Sequence, residues 1–545
     1  MLQLIHIMLR YLHFIGFMLL ASCILAQSIP WQATPKREVR AVWLTTIGGL
    51  DWPHGYAQSA KSIEKQKRQL CEILNAYQRA GINTVLLQTR IRGTVIYPSQ
   101  YEPFDGCLSG VPGRSPGYDA LQYAITQCHL RGMEIQAWVV TLPLGKWNGL
   151  GCRHIRKNYP QAVTRIGNEA YMNPESKETP FYLAKLCGEI TRQYDIDGIH
   201  LDYIRYPETW KRRVSNEKGI EYISNIVRCI HDTVKAIKPW VKISCAPIGK
   251  YDDLSRYWSH GWNALHTVCQ DAQSWLNEDL MDELYPMMYF RGNQFYPFAI
   301  DWKERSYGKP IAPGLGIYFL SSEEGNWAID DITREINVLR QYKLGQAYFR
   351  GNFLTNNTKG IFEYIVNNNS NPALVPALKS PAEEMPSPPT AINITEECVS
   401  WQGNTPFYNL YSSRTQPVDV TNAQNLIATR LTSTSIKIPT TGRYFAVTGL
   451  NRYGIESGAI QSQPVKEPAT SLLPCKDLKI QIPTKPSDLD AEWLIAENLE
   501  GMVIAIWTWK GHSIPVSALQ KGFYKLKSLN KKGVTHKIGF FWRQM

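Results

Sequence analysis

The stretch Asp197-Gly198-Ile199-His200-Leu201-Asp202-Tyr203-Ile204-Arg205-Tyr206-Pro207 gathers two carboxyls, an imidazole, a guanidinium and two phenols. With the strand period of two, Gly198, His200 and Asp202 share one face and Ile199 and Leu201 the other. The apolar face is expected to pack on helices and the polar face to line an interior. Burying a carboxylate without a partner is costly, so Asp202 is expected to do chemistry. The competing structural role is an ion pair with Arg205, worth under ~1 kcal/mol if exposed. Paired carboxyls suit cleavage of a glycosidic bond: one protonates the leaving oxygen and the other, ionised, serves as nucleophile or base.

The elements around this motif must hold it at the end of a strand. From Arg40 to about Leu354 short β-rich runs alternate with helical patterns, as in repeated βα units. The strands are expected at Arg40 to Thr46, Thr84 to Arg90, Glu134 to Thr141, Gly198 to Ile204, Val241 to Pro247, Leu284 to Tyr289, Ile311 to Tyr318 and Gln346 to Phe349. Helical stretches such as Ile63 to Ala80, Ala120 to Arg131, Phe181 to Tyr194 and Ile220 to Ile237 lie between them. Eight such units predict an α/β fold, a (β/α)8 TIM barrel over residues 36–370, and no GxGxxG supports a doubly wound sheet.

In such a barrel the reacting groups sit at the carboxyl ends of the strands and in the loops that follow. That places Gln88, Arg90, Arg92, Trp138, His200, Tyr203, Arg205, Tyr206, Tyr289, Tyr318 and Arg350 around Asp202 as a substrate-binding wall. Aromatic faces suit sugar rings, and Arg binds carboxylates in bidentate fashion. For the second carboxyl, Glu323 ranks first, with Glu324, Asp252, Asp253, Glu208 and Asp51 as alternatives in loops. Glu283, at the start of strand six, belongs to the opposite, stability face.

The 545 residues carry 59 Lys and Arg against 47 Asp and Glu, a net charge of +12, with 44% hydrophobic and 19% charged residues. This excludes a mostly disordered, collagen-like or coiled-coil chain. The basic residues are dispersed and match no nucleic-acid motif, so no nucleic-acid partner is expected. Aromatics, at 11%, exceed what a core needs.

Residues 1–26 read as an export signal: Arg10, an apolar run from Tyr11 to Leu20, then small residues. Leu20-Ala21-Ser22-Cys23 is similar to a lipobox, which makes Cys23 the expected lipidation site and membrane anchor; ordinary cleavage after Ala26 is the alternative. Of eleven cysteines, Cys71, Cys128, Cys187 and Cys229 read as core thiols, and Cys107 with Cys152 is the one pair expected to bridge. No metal-ligand spacing occurs among the eleven histidines, so no metal or other cofactor is expected. A Pro-rich linker spans 371–389; a β-sandwich over 390–466 resembles a fibronectin type III module, and 467–545 reads as a small β-domain with strands at Met502 to Trp509 and Phe523 to Leu529.

The motif DGIHLDYIRYP, with VRAVWLTT from Val39, YPSQYEPFDGCLSG from Tyr97, HLRGMEIQAWV from His129, QDAQSWL from Gln270 and GLGIY from Gly314, closely resembles the glycosyl hydrolase-like 10 family from Val39 to Phe353. The resemblance implies a bacterial envelope glycosidase with Asp202 as a catalytic carboxyl. It further implies a glycan partner, peptidoglycan strands stripped of their stem peptides, and an outer-membrane lipoprotein facing the periplasm or the cell surface. The competing readings are a non-catalytic glycan-binding lipoprotein and an exported glycosidase for dietary or host polysaccharide.

Overall fold

Eight short parallel strands form at the apolar runs: β1 (Arg40–Leu44), β2 (Thr84–Ile91), β3 (Glu134–Val140), β4 (Gly198–Asp202), β5 (Lys242–Cys245), β6 (Glu283–Leu284), β7 (Gly314–Leu315) and β8 (Gln346–Tyr348). The computed structural model describes residues 34–543 except 258, 379–384, 441–442, 464–471, 477, 483–490, 500 and 532. Strand order is β6-β5-β4-β3-β2-β1-β8-β7. Parallel bridges Leu284↔Ile311 and Met287↔Gly314 join β6 to β7, so the sheet closes into a (β/α)8 barrel.

The period of two sorts the barrel's side chains as expected. Val42, Val85, Leu87, Ile199 and Leu201 pack against the helices, whereas Trp43, Leu86, Trp138 and Tyr285 fill the interior. Gly314 is required by this filling, because a Cβ there would lie 3.0 Å from the Trp43 ring. The helices start at side-chain caps: Ser59 for α1 (Ala60–Arg79), Asp119 for α2 (Ala120–His129) and Ser215 for Asn216–Ile237. After β3 the chain makes an insertion, a three-stranded antiparallel sheet of Pro143–Lys146, Val163–Ile166 and Glu169–Met172, before the helix Glu178–Gln193.

Beyond the barrel, two sheets face each other across Val399, Trp401, Tyr408, Leu410, Phe445 and Val447. One holds β9 (Ala391–Thr395), β10 (Cys398–Gln402) and β13 (Ser435–Lys437); the other holds β11 (Phe407–Ser413), β12 (Leu426–Leu431), β14 (Tyr444–Leu450) and β15 (Glu456–Gln461). A last antiparallel sheet contains Trp493–Glu497, Val503–Thr508, Gly522–Leu529 and Thr535–Arg543. The sandwich is docked on the barrel floor, the amino-terminal end of the strands, where Arg430 reaches Glu134 at 3.2 Å.

The cysteine pairing expected from sequence does not form: Cys107 and Cys152 are both free and buried, on the short helices Gly106–Ser109 and Leu150–Asn158 and within the apolar layer. Residues 1–26, with Cys23, and part of the Pro-rich linker lie outside the described residues. Among the described residues no helix is long and apolar enough to cross a membrane.

Candidate active site

Asp202 is the last residue of β4, and the strand stops there because Tyr203 turns into the left-handed region with φ 55°. One carboxylate oxygen accepts from Trp138 Nε1 at 3.0 Å and the other from the Tyr203 amide at 2.7 Å. Its carbonyl accepts from both the amide and the hydroxyl of Thr141, each at 2.9 Å. Burial raises the Asp202 pKa, and the Trp138 hydrogen bond and the Arg205 charge pull it only part-way back. A half-buried carboxyl with a raised pKa at the carboxyl end of a barrel strand is equipped to exchange a proton with a bound substrate.

Trp138 therefore tunes Asp202. Its N–H favours the ionised carboxylate, so removing it moves the pKa further up. Trp138→Phe is expected to shift the limb of the kcat/KM–pH profile governed by Asp202 upward by about one unit. An unmoved limb would remove Trp138 from this role.

Beneath Asp202 the barrel is polar but closed. Trp43 Nε1 donates to His200 Nε2 at 3.1 Å, His200 Nδ1 meets Ser244 Oγ at 2.8 Å, and Ser244 donates to Gln136 at 2.6 Å. With Ser244 donating onward, His200 carries its proton on Nδ1 and is neutral, and burial lowers its pKa to about 3. His200 is wholly buried and fully bonded, so it supports the site from below and does not bind substrate as expected.

Three more expected wall residues are engaged inside the protein. Gln88 accepts from the amides of Thr46 (3.1 Å) and Ile47 (2.8 Å). Tyr206 is buried against Trp210 and points to Glu175, 3.4 Å away. Arg90 is held by Glu102 at 2.6–2.9 Å and by the carbonyls of Val140 and Thr141. A bulge between Gln88 and Arg90 in the β2–β3 register is the reason: it moves Arg90 from the interior face to the helix side. Arg90 is thus unavailable to a substrate carboxylate.

The mouth itself is aromatic. Tyr289 stacks on Phe349 at 5.2 Å and meets Tyr318 edge-on at 5.7 Å. Burial and the nearby Asp202 charge push the Tyr289 phenol well above its ordinary pKa, which sets this wall beside the carboxylate. Tyr318 continues to Phe319 at 4.1 Å, and Phe319 stacks on Trp327 at 4.4 Å. Phe349, Phe319 and Trp327 were not singled out from sequence; Phe349 could have been, as the last residue of the eighth expected strand. Tyr203 packs under the Arg205 guanidinium at 3.9 Å, and Glu208 bonds both the Tyr203 hydroxyl and Arg205 at 2.8 Å.

The candidate partner carboxyls are dispersed. Asp51 is buried, accepting from the Thr45 amide (2.8 Å), Thr45 Oγ1 (2.6 Å), the Asn352 amide (2.8 Å) and Arg350 (2.5 Å), so both Asp51 and Arg350 tie β1 to the loop after β8. Asp252 and Asp253 face His266 and His260 at 3.3 and 3.4 Å. Glu323 is exposed on the turn after β7, whose Ser321 carbonyl accepts from the amides of Glu324, Gly325 and Asn326. The adjacent Glu324 charge reaches Tyr318 and, after burial, helps raise its pKa to about 12. Glu283 lies buried at the start of β6, 3.7 Å from Lys242, at the far end of the barrel.

The family model described as Glycosyl hydrolase-like 10 matches residues 38–221 and 208–315. A Glycosyl hydrolase YngK from Bacillus subtilis is 28% identical over 409 residues, 68% of this chain and 80% of that protein. Glycosyl hydrolase DigH from Escherichia coli is 26% identical over 291 residues, 47% of this chain and 66% of that protein. Among solved structures, the PgaB (BpsB) glycoside hydrolase domain from Bordetella bronchiseptica aligns with TM-score 0.41 and 11% identity, over 61% of this chain and 98% of that one.

Proposed function

Because the chain belongs to the glycosyl hydrolase-like 10 family, and so is a glycoside hydrolase acting on a glycan, we propose that it cleaves peptide-free peptidoglycan strands or a closely related amino-sugar polymer by carboxyl catalysis. The observation that carries this reading is Asp202, a carboxyl of raised pKa at the end of β4 beside an aromatic wall. Tyr289, Phe349 and Tyr318 offer ring faces to sugar residues; Asp202 exchanges the proton or attacks the anomeric carbon. We assign the second carboxyl to the turn after β7, to Glu323 with Glu324 as its competitor. Glu323→Gln and Glu324→Gln, assayed separately, tell the two apart.

We further propose that the enzyme is exported to the cell envelope and anchored through Cys23, in keeping with its amino-terminal sequence. The pairing of three strands with four in the sandwich supports a fibronectin type III-like domain over 390–466. Its place on the barrel floor, away from the mouth, suits a brace better than an extension of the cleft.

The test is incubation of the purified protein with amidase-stripped peptidoglycan glycans, followed by mass spectrometry of the products. Shortened glycans are expected. Intact glycans, with cleavage of a neutral dietary or host polysaccharide instead, would overturn the substrate assignment.

A further inference from the structure

The insertion after β3 carries a concentration of charge that the reactions at Asp202 do not use. Residues 143–172 contain Lys146, Arg153, Arg156, Lys157 and Arg165 against a single acid, Glu169. Arg92, from the loop after β2, joins them: its stem lies over Gly145, where a Cβ would come within 3.0 Å of Arg92 Cδ. Five of the six cations are exposed and Arg156 is half-buried. Among the described residues no carboxylate lies within ion-pairing distance of any of them. Lys146 stands opposite Glu169 in the strand pair; the like charges that remain repel one another, and an anion that meets them relieves that repulsion.

The cluster is built around Trp147. The Arg156 guanidinium sits 3.9 Å from the centre of the indole and donates to the Trp147 carbonyl at 3.4 Å. Arg165 approaches the same ring at 5.6 Å and is fixed by a 2.8 Å bond to the Gly167 carbonyl. The insertion also stands at the mouth. It leaves the barrel just after Thr141, which bonds the Asp202 carbonyl twice, and returns through the Met172 amide to the Leu142 carbonyl at 2.7 Å.

We propose that this insertion is a subsite for a glycan bearing a carboxylate on its repeating unit, holding the polymer so that a glycosidic bond reaches Asp202. The inference deepens the glycosidase reading and rests on it for the word glycan. It also supplies the anion recognition that Arg90 cannot. An anionic membrane is the less suitable partner, because none of the exposed large apolar side chains lies in the insertion to enter a bilayer.

The test measures binding by full-length protein carrying Asp202→Asn, which holds glycans without cutting them. Three probes are compared: peptide-free peptidoglycan glycan, the same chains with their carboxyls converted to methylamides, and phosphatidylglycerol vesicles. Methylamidation is expected to weaken binding about tenfold, with the difference fading as salt rises. The triple change Lys146→Gln, Arg153→Gln, Lys157→Gln, confined to exposed side chains, is expected to erase that difference; Arg156→Gln is a second, independent check.

Equal binding of both glycans, or a preference untouched by either variant, would overturn the subsite while leaving the glycosidase reading intact. Vesicle binding lost in the variants with glycan binding unchanged would overturn it in favour of a membrane. Carboxylate-dependent binding without hydrolysis by the unmodified enzyme would keep the subsite and remove the glycosidase reading.

Discussion

Asp202→Asn is expected to lower kcat/KM on a cleaved glycan about a thousandfold or more while leaving the fold intact. Asn cannot donate a proton as a carboxylic acid does, nor carry the negative charge that a nucleophile or base needs, so both candidate roles are lost at once. The structural cost is small for a specific reason. Trp138 Nε1 and the Tyr203 amide each use one carboxylate oxygen. Asn keeps one acceptor and loses the other, about 1 kcal/mol for one hydrogen bond. Against this stands the raised pKa of Asp202. A carboxyl whose folded pKa is raised works against the fold once pH exceeds its unfolded value, so removing the charge recovers part of the loss at neutral pH. The measurement pairs steady-state kinetics with thermal unfolding. Retention of more than a tenth of the activity in a folded variant would move the catalytic carboxyl elsewhere.

The same residue illustrates what was legible in the sequence. His200 and Asp202 share a face by the period of two, and the structure puts both in the barrel interior; nothing in that period distinguishes the last inward residue from the one beneath it. Burial does: Trp43 closes over His200, whereas Asp202 stays half-exposed at the rim. Arg90 failed for another reason. A single extra residue at Thr89 reverses the facing of everything after it, and no residue type there announces a bulge.

The sixth and seventh strands were expected to run for six to eight residues and form ladders of only two. Pro286, Pro310 and Pro313 have no N–H to give, so pairing continues past β6 and β7 only as isolated bridges. The helices were read more closely, because apolar periodicity over sixteen to twenty-two residues is a longer signal: Ile63 to Ala80, Phe181 to Tyr194 and Ile220 to Ile237 end within one residue of the observed helices, which start three or four residues earlier, at Ala60, Glu178 and Asn216, where the first turn carries no apolar stripe. The second carboxyl stays with the turn after β7 by proposal alone, since loop acids carry no periodic signature.

The barrel floor gives the other large effect: Arg430→Ala is expected to cost about 3–5 kcal/mol of stability. Arg430 sits on β12 at φ 51°, beside a register shift in the β11–β12 pairing that throws its side chain off the sandwich and into the barrel. There its guanidinium pairs with Asp197 and, at 3.2 Å, with Glu134, and packs over the Phe407 ring at 4.1 Å. All three charged side chains are nearly out of solvent, so water cannot replace the lost cation. His129, 2.9 Å from Asp197, and Lys242, 2.6 Å from Glu134, remain but are already committed.

Burial pushes the Asp197 pKa up, and Arg430 and then His129 outweigh that, leaving it below the ordinary carboxylate value. A depressed folded pKa contributes stability that is present above the unfolded value, about 3.9, and lost as pH falls through the folded one. Without Arg430 both Asp197 and Glu134 lose a charge that lowers their pKa, so the gap between wild type and Arg430→Ala is expected to be largest at pH 7 and to narrow as pH falls and the variant's carboxylates take up protons. Arg452→Ala is the matched control: its pair with Asp195, at 2.6 Å, bridges the same two units but is 37% and 46% exposed, and is expected to cost under about 1 kcal/mol. Urea unfolding of the two variants across pH 3.5–7 decides the matter, and equal losses would mean that the sandwich is held by its apolar contacts and the buried arginine adds nothing of its own.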